Sequence, residues 1–219
     1  MGKKKSEEPQ DPLSQLIRAS DATILGQLVR QLASGRPEVR RECLEFLQQH
    51  VSLTAEARAD ADADAVFALW EELEPDLADL NEYGGGPDET EERVAELLYQ
   101  LSEKLKHSRI PEDARWDLLD RVMPYIINNH AGMEDGLYDV AYAACQEDDD
   151  LRELAIRMET SGRDYLVDHA RGIYRKLGDW DKYLALRSRR MEYGGDYHDL
   201  ATFYWEHGER ERALALARE

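Results

Sequence analysis

The chain has 219 residues, of which 42% are hydrophobic and 34% are charged, a composition typical of folded domains rather than of a disordered chain. Its 28 lysines and arginines stand against 47 aspartates and glutamates, and the net charge of −19 disfavours a nucleic-acid binder that works by overall charge. No apolar run approaches the roughly 20 residues that span a bilayer, and the first residues lack a signal-peptide core. Two cysteines, Cys43 and Cys145, cannot build a disulfide scaffold. We therefore expect a soluble, cytoplasmic protein with no membrane attachment.

The N-terminal third of the chain predicts a helical bundle. Residues 1–11 are polar and lack periodicity, so we expect a disordered leader there. Residues 12–83 carry apolar side chains at helical spacing, with Thr54 as the cap of a long helix and Pro75 as a kink or break in it. The glycine-rich residues 84–89 then predict a linker. The apolar stripes of this bundle are Ile24, Leu25, Leu28, Val29, Leu32; Val39, Cys43, Phe46, Leu47, Val51; and Val66, Leu69, Trp70, Leu73, Leu77, Leu80.

The remaining residues, 90–219, predict a series of α-hairpins. Helical spacing continues, Pro124 should kink one helix, and no stretch alternates with a period of two, so the fold is expected to be all-α. An offset of 30 residues pairs Tyr174 with Tyr204 and Gly178 with Gly208, and each copy consists of helix, glycine–acid turn and helix. A two-helix hairpin cannot bury its apolar face alone, so such units stack. We expect the sequence to belong to a longer repeat protein.

Two family resemblances follow from these residues. Ala201, Tyr204, Gly208 and Ala213 have the spacing of a tetratricopeptide unit, and the copy before it, from about residue 163, resembles a degenerate one. The opening DPLSQLIRASDATILGQLVRQLASGRPEVRREC and the later segment from His169 to Arg187 are similar to the helical region of bacterial SWIM zinc-finger proteins. That family's zinc module needs a Cys-x-Cys pair followed by Cys-x-His, which two scattered cysteines cannot supply. The resemblance therefore implies the helical, interaction-type part without the zinc module.

A strongly acidic segment occupies residues 60–92, with thirteen carboxylates and no lysine or arginine. It predicts either a solvated helix face with an acidic loop, or a docking surface for a basic partner or a basic face of the same chain. Asp60, Asp62, Asp64 and Glu71 match EF-hand ligand spacing, but the obligatory glycine is replaced by Ala65. The alanine-rich context favours a helix over a calcium loop, so we predict no metal site.

Basic and aromatic residues concentrate further along the chain. Residues 171–190 contain seven bases and two acids. This combination is typical of partner-binding surfaces, where tyrosine, tryptophan and arginine are frequent anchors, and it is also compatible with single-stranded nucleic acid. The candidate partner-binding residues are Arg171, Arg175, Arg187, Arg189, Arg190 and Tyr197.

Catalytic motifs are not found in the sequence. The six histidines are scattered, and Asp196, His198 and Asp199, the densest group of possible metal ligands, lie at a predicted helix start where aspartate acts as a cap. We therefore predict an all-α fold, an α-hairpin repeat (TPR-like) array with an N-terminal helical bundle. The predicted function is a non-catalytic protein–protein interaction scaffold, with no cofactor, that binds another protein on the face of its repeats. The alternative is a nucleic-acid-associated module that uses residues 171–190.

Overall fold

The computed structural model describes residues 11–189 and 191–218. These residues form twelve α-helices and contain no strand, which confirms the all-α prediction. The expected leader lies outside the described residues except for Asp11, whose carboxylate caps the first helix. The helices are α1 (Pro12–Ala19), α2 (Ala22–Ala33), α3 (Pro37–His50), α4 (Ala55–Tyr83), α5 (Asp88–His107), α6 (Glu112–Asn128), α7 (Glu134–Ala144), α8 (Asp148–Thr160), α9 (Asp164–Leu177), α10 (Trp180–Arg187), α11 (Gly194–Glu206) and α12 (Arg210–Leu216).

The chain divides into two compact units. The first contains residues 11–79 and 86–111, and the second contains residues 80–85 and 112–218. Helix α5 therefore belongs with the N-terminal helices, whereas the glycine-rich break at residues 84–89 suggested a boundary in front of it. The reason is that α5 has a continuous apolar face that packs within the first unit. The glycine-rich segment predicts a break in the helix but does not indicate with which helices α5 packs.

The core of the first unit is built from the long helix α4 and from α5. Thr54 caps α4 as expected, since its hydroxyl accepts from the Ala57 N–H at 3.2 Å. Helix α4 also continues through Pro75 without a break, with Leu73 and Leu77 on either side completely buried. Burial of these neighbours offsets the roughly 3 kcal/mol that an interior proline costs a helix. The buried apolar residues of the two helices in this unit are Ala63, Ala65, Val66, Ala68, Leu69, Trp70, Leu73, Leu77, Val94, Leu97, Leu98, Leu101 and Leu105.

The second unit is a series of packed helix pairs. Helix α6 packs on α7, α8 on α9, α9 on α10, and α11 on α12. Helix α6 also continues through Pro124, between the buried residues Met123 and Ile126. The array of α-hairpins that the sequence predicts is therefore present in this unit.

A buried ion pair joins α6 to the start of α8. Asp150, only 1% exposed, lies 2.9 Å from the Nε of Arg115 and accepts from the Trp116 indole N–H at 3.2 Å. The oxygen that lies near Arg115 also accepts from the backbone N–H groups of Gln146 and Glu147 at 3.0 and 2.8 Å, and Trp116 uses the other oxygen. A buried carboxylate is stable only when its charge and lone pairs are satisfied, and here both oxygens are used. The contact fixes where α8 begins relative to α6.

The 30-residue repeat is visible in the backbone itself. In the first copy the Asp179 N–H donates to the Tyr174 carbonyl at 2.9 Å, and in the second the Glu209 N–H donates to the Tyr204 carbonyl at 2.8 Å. A cation also lies over the same ring in each copy: Lys182 is 5.8 Å from the Tyr174 centroid, and its equivalent Arg212 is 5.6 Å from the Tyr204 centroid. Because the two turns share the same backbone hydrogen bond and the same cation–ring contact, they are two copies of one structural unit.

The two copies are joined by a cluster of aromatic rings. Phe203 of α11 lies between Trp180 and Tyr183 of α10, with ring centroids 5.3 and 5.0 Å away. His207 stacks on Phe203 at 4.0 Å and meets the Trp180 ring edge-on at 4.8 Å. Offset and edge-to-face ring pairs contribute about 0.5–1.5 kcal/mol each beyond their buried area. This cluster is the core between hairpins α9–α10 and α11–α12.

The repeated turns generate a stability prediction. Gly178 and Gly208 have φ of 72° and 82°, in the left-handed region that favours glycine. Gly178→Ala and Gly208→Ala should each lower the free energy of unfolding by about 1 kcal/mol because an alanine is strained there. The measurement is urea denaturation followed by circular dichroism.

The matched control is Gly172→Ala in the same helix α9. Gly172 lies inside the helix, and no heavy atom lies within 4 Å of the added Cβ. Alanine should therefore stabilise the chain there by up to about 1 kcal/mol. Equal stability of the variants at 172 and 178 would contradict the assignment of a strained turn.

Candidate functional site

A cleft opens on hairpin α9–α10 and extends to the start of α11. Its volume is about 690 Å³, and Tyr193 and Asp196 close it on the α11 side. The hairpin contributes the charged side chains of Asp164, Asp168, Arg171 and Arg187 and the apolar side chains of Val167 and Leu186. We call this the inter-hairpin cleft.

A second groove, of about 460 Å³, lies on hairpin α11–α12. Trp205 and Leu214 line it and remain 53% and 50% exposed. Its other lining residues are largely apolar or small, and they include Gly194, Tyr197, His198, Ala201, Leu216 and Ala217. We call this the terminal groove.

The cleft and the groove are the same surface in successive repeats. Adding the repeat offset of 30 to residues 164, 167, 168, 171, 186 and 187 gives residues 194, 197, 198, 201, 216 and 217, and both sets line their cavities. In the first copy the start of α11 closes one side of this surface. In the second copy the two arginines of the first, Arg171 and Arg187, are replaced by Ala201 and Ala217, and its two aspartates by Gly194 and His198, which leaves a largely apolar groove.

Arg187 is the structural centre of the inter-hairpin cleft. Its side chain is only 2% exposed, although the sequence suggested an exposed partner-binding residue. Its guanidinium lies 2.9 Å from Asp196 and 3.4 Å from Asp199, and it donates to the Gly195 carbonyl at 3.5 Å. Arg187 therefore holds the start of α11 to the end of α10, and burial withdraws it from contact with a partner. The signal that could have shown this is the pair of aspartates 9 and 12 residues later.

Asp196 is the main acidic partner of Arg187, and we call this ion pair the Arg187–Asp196 clamp. It occupies the third position of α11, and one of its oxygens accepts from the backbone N–H groups of Glu192 and Tyr193, both at 2.9 Å. These two N–H donors and the Arg187 guanidinium lower the pKa of Asp196 to about 2. The expectation that aspartate at this helix start has a capping role is thus met by its position and bonds.

Three of the candidate arginines, Arg171, Arg187 and Arg189, line the inter-hairpin cleft, whereas Arg175 and Tyr197 lie outside its lining. Arg171 lies in the inter-hairpin cleft, 2.9 Å from Asp168, and Tyr197 lines the terminal groove. Arg175 extends over the Tyr183 ring at 6.0 Å. Arg189 also lines the cleft, whereas Arg190 lies outside the described residues.

The basic stretch is largely neutralised by acids of the same chain. Arg189 and Lys182 both reach Glu159, at 3.1 and 3.8 Å, and Arg175 lies 3.9 Å from Glu206. Phosphate binding draws its free energy from cations that are available to displace counterions. Bases already paired with carboxylates supply less of it, which weakens the nucleic-acid alternative.

An aromatic surface between α7 and α9 was not found from the sequence. The Tyr138 ring stacks on His169 with centroids 4.3 Å apart, and the Tyr142 hydroxyl lies 3.2 Å from His169 Nδ1. Burial lowers the pKa of His169 and raises the pKa of Tyr138 to about 12. Both rings are therefore neutral near pH 7, and the surface offers stacking and hydrogen bonds rather than charge.

The acidic segment 60–92 pairs in part with a basic face of the same chain. Asp64 lies 3.0 Å from Arg40, and Glu72 lies 3.1 Å from Arg41, so α3 covers part of the acidic face of α4. The residues with EF-hand spacing lie inside α4, where a helix cannot wrap around a calcium ion. In the described part of the chain, no three histidine, cysteine, aspartate or glutamate side chains are grouped so as to hold a metal ion.

Comparison with protein-family models, with curated proteins and with solved structures finds no match to this chain. Among the described residues, no helix combines the length and the apolar character needed to cross a bilayer.

The Arg187–Asp196 clamp generates a pH prediction. Because folding lowers the pKa of Asp196 to about 2 from about 4, its stabilising effect is complete above about pH 4 and disappears as the pH falls towards 2. Asp196→Asn removes this charge and should be less stable than the wild-type chain at pH 7. The two urea midpoints should converge between about pH 4 and pH 2.

Asp199→Asn is the matched control, since Asp199 contacts the same guanidinium from a position that is 61% exposed. Solvent screening should make its effect at pH 7 the smaller of the two. A difference in urea midpoint between wild type and Asp196→Asn that persists unchanged at pH 2 would contradict this prediction. It would show that Asp196 stabilises the fold through its shape and not through its charge.

Proposed function

We propose that the chain is a non-catalytic interaction scaffold whose terminal groove binds a helix of a partner protein. The observation that carries this proposal is the pair of half-exposed large side chains, Trp205 and Leu214, which line the groove together with small and apolar residues. Tryptophan is among the residues that contribute most to binding when a partner covers them. Contiguous apolar surface of this kind is typical of interaction sites.

The repeat argues for a helix as the occupant. On hairpin α9–α10, the first residues of helix α11 close one side of the surface equivalent to the terminal groove. The neighbouring rings Trp180 and Tyr183 receive Phe203 from the same helix. A surface that is bordered by a helix in one copy is suited to contact a helix in the next, and the apolar lining of the terminal groove favours the apolar face of an amphipathic helix.

The resemblance to tetratricopeptide units and to the helical region of bacterial SWIM zinc-finger proteins agrees with such a role. Both resemblances concern helical regions without a catalytic motif in this sequence. A cytoplasmic location would suit a chain of this composition. The nucleic-acid alternative is less well supported because Arg175, Lys182 and Arg189 already lie near carboxylates.

Site-specific photo-crosslinking tests the proposal. A benzophenone amino acid at Tyr197, inside the terminal groove, should capture a protein in cells that naturally contain the chain. The same probe at Tyr99, which is 60% exposed on α5, should not capture that protein. The captured protein is then purified, and its affinity is measured by calorimetry for wild type, Trp205→Ala and Tyr99→Ala. Trp205→Ala should weaken binding at least about tenfold, and Tyr99→Ala should leave it unchanged.

Two results would contradict the proposal. The first is capture of the same set of proteins by the probes at positions 197 and 99. The second is an unchanged affinity of the captured protein for Trp205→Ala, provided that circular dichroism shows this variant to be folded. A titration with a labelled single-stranded oligonucleotide addresses the alternative. Salt-sensitive binding that Arg189→Glu removes would favour the nucleic-acid module instead.

A further inference from the structure

The first three helices expose their apolar faces. Within residues 11–53 no side chain is buried, although the sequence predicts stripes that a bundle core would use. Ten large apolar side chains there are between 36% and 66% exposed: Leu13, Leu16, Ile17, Ile24, Leu28, Val29, Leu32, Phe46, Leu47 and Val51. We call these ten side chains the N-terminal apolar face.

The orientation of α3 accounts for this exposure. Arg41 lies 3.1 Å from Glu72, Gln48 donates to Asp62 at 3.0 Å, and Lys104 of α5 lies 3.7 Å from Glu45. Helix α3 therefore meets α4 and α5 through polar side chains. Its apolar residues Phe46 and Leu47 point to solvent, next to α2, against which α3 packs.

The exposed area is sufficient for a stable interface. Ten side chains of this size, each about half exposed, leave on the order of 800 Å² of apolar surface summed over α1, α2 and α3, and each partner of a standard protein–protein interface contributes about 800 Å². The largest apolar patch on a monomeric protein is typically about 300–600 Å². The first ten residues, MGKKKSEEPQ, contain one large apolar side chain.

The charge of this region identifies the partner. Residues 11–53 contain five acids and five bases, so their net charge is zero, whereas the whole chain carries −19. Two copies of a strongly acidic chain repel each other least where they meet through a neutral, apolar surface. A strongly basic partner, by contrast, would gain little attraction at this face. We propose that the N-terminal apolar face binds the same face of a second copy and makes the protein a homodimer.

Sedimentation equilibrium of the full chain tests this inference. Wild type should have twice the 25.2 kDa mass of one chain at micromolar concentration. The double variant Leu28→Gln with Phe46→Gln keeps the net charge and should weaken the dimer at least about tenfold. Tyr99→Gln, at an exposed site on α5 away from the apolar face, is the matched control and should remain dimeric.

The salt dependence adds a second readout. Because the two chains repel each other while their contact surface is neutral, added salt should tighten the dimer. A wild-type monomer, or a dimer that the double variant leaves intact, would overturn the inference. Dissociation by salt would also overturn it, since that result indicates ion pairs as the main contact. Binding of the wild type, but not of the double variant, to phosphatidylcholine–phosphatidylglycerol vesicles would assign the face to a lipid surface instead.

Discussion

An arginine held against an aspartate at the third residue of a helix is the interaction on which the C-terminal unit depends, and the unit uses it twice. Arg115 meets Asp150 at the start of α8, and Arg187 meets Asp196 at the start of α11. In both cases the same aspartate also accepts from the two backbone N–H groups just before the helix. One carboxylate thus fixes the direction in which a helix starts and links that start to an earlier helix. The ion pair therefore adds a fixed contact to the side-chain packing between neighbouring helices, which itself restricts their crossing angle.

Much of the fold could be predicted from the sequence because it depends on local patterns. Helical spacing predicted the apolar faces of α4 and α5, and the Thr54 cap is present. The repeat offset predicted two equivalent turns at Gly178 and Gly208, and both have the left-handed backbone that only glycine adopts at little cost. Local helix propensity alone predicts a kink or break at Pro75 and a kink at Pro124. Pro75 does not end α4, because burial of the side chains around it outweighs the lost hydrogen bond.

The site was less predictable because it depends on pairs that are distant in sequence. A basic stretch indicates charge but not which carboxylates will meet it. Arg187 is buried because Asp196 and Asp199 converge on it, and Arg189 is drawn to Glu159, 30 residues earlier. Similarly, an apolar stripe indicates that a helix packs against another surface, but it does not indicate which surface that is. The stripe of α2 appeared to be bundle core, yet Ile24 and Leu28 are about half exposed.

The aromatic junction between the two C-terminal hairpins couples the docking of hairpin α11–α12 to hairpin α9–α10. Within the described part of the chain, hairpin α9–α10 has α8 on one side and α11 on the other, whereas hairpin α11–α12 is held by the Phe203 cluster and by Arg187. Detaching α11–α12 from hairpin α9–α10 breaks those ring contacts and the Arg187 ion pair. A ligand seated on hairpin α11–α12 must keep it docked, so its affinity would decline as rising temperature detaches this hairpin. Occupancy of the groove and local order of the last two helices would then be a single linked equilibrium.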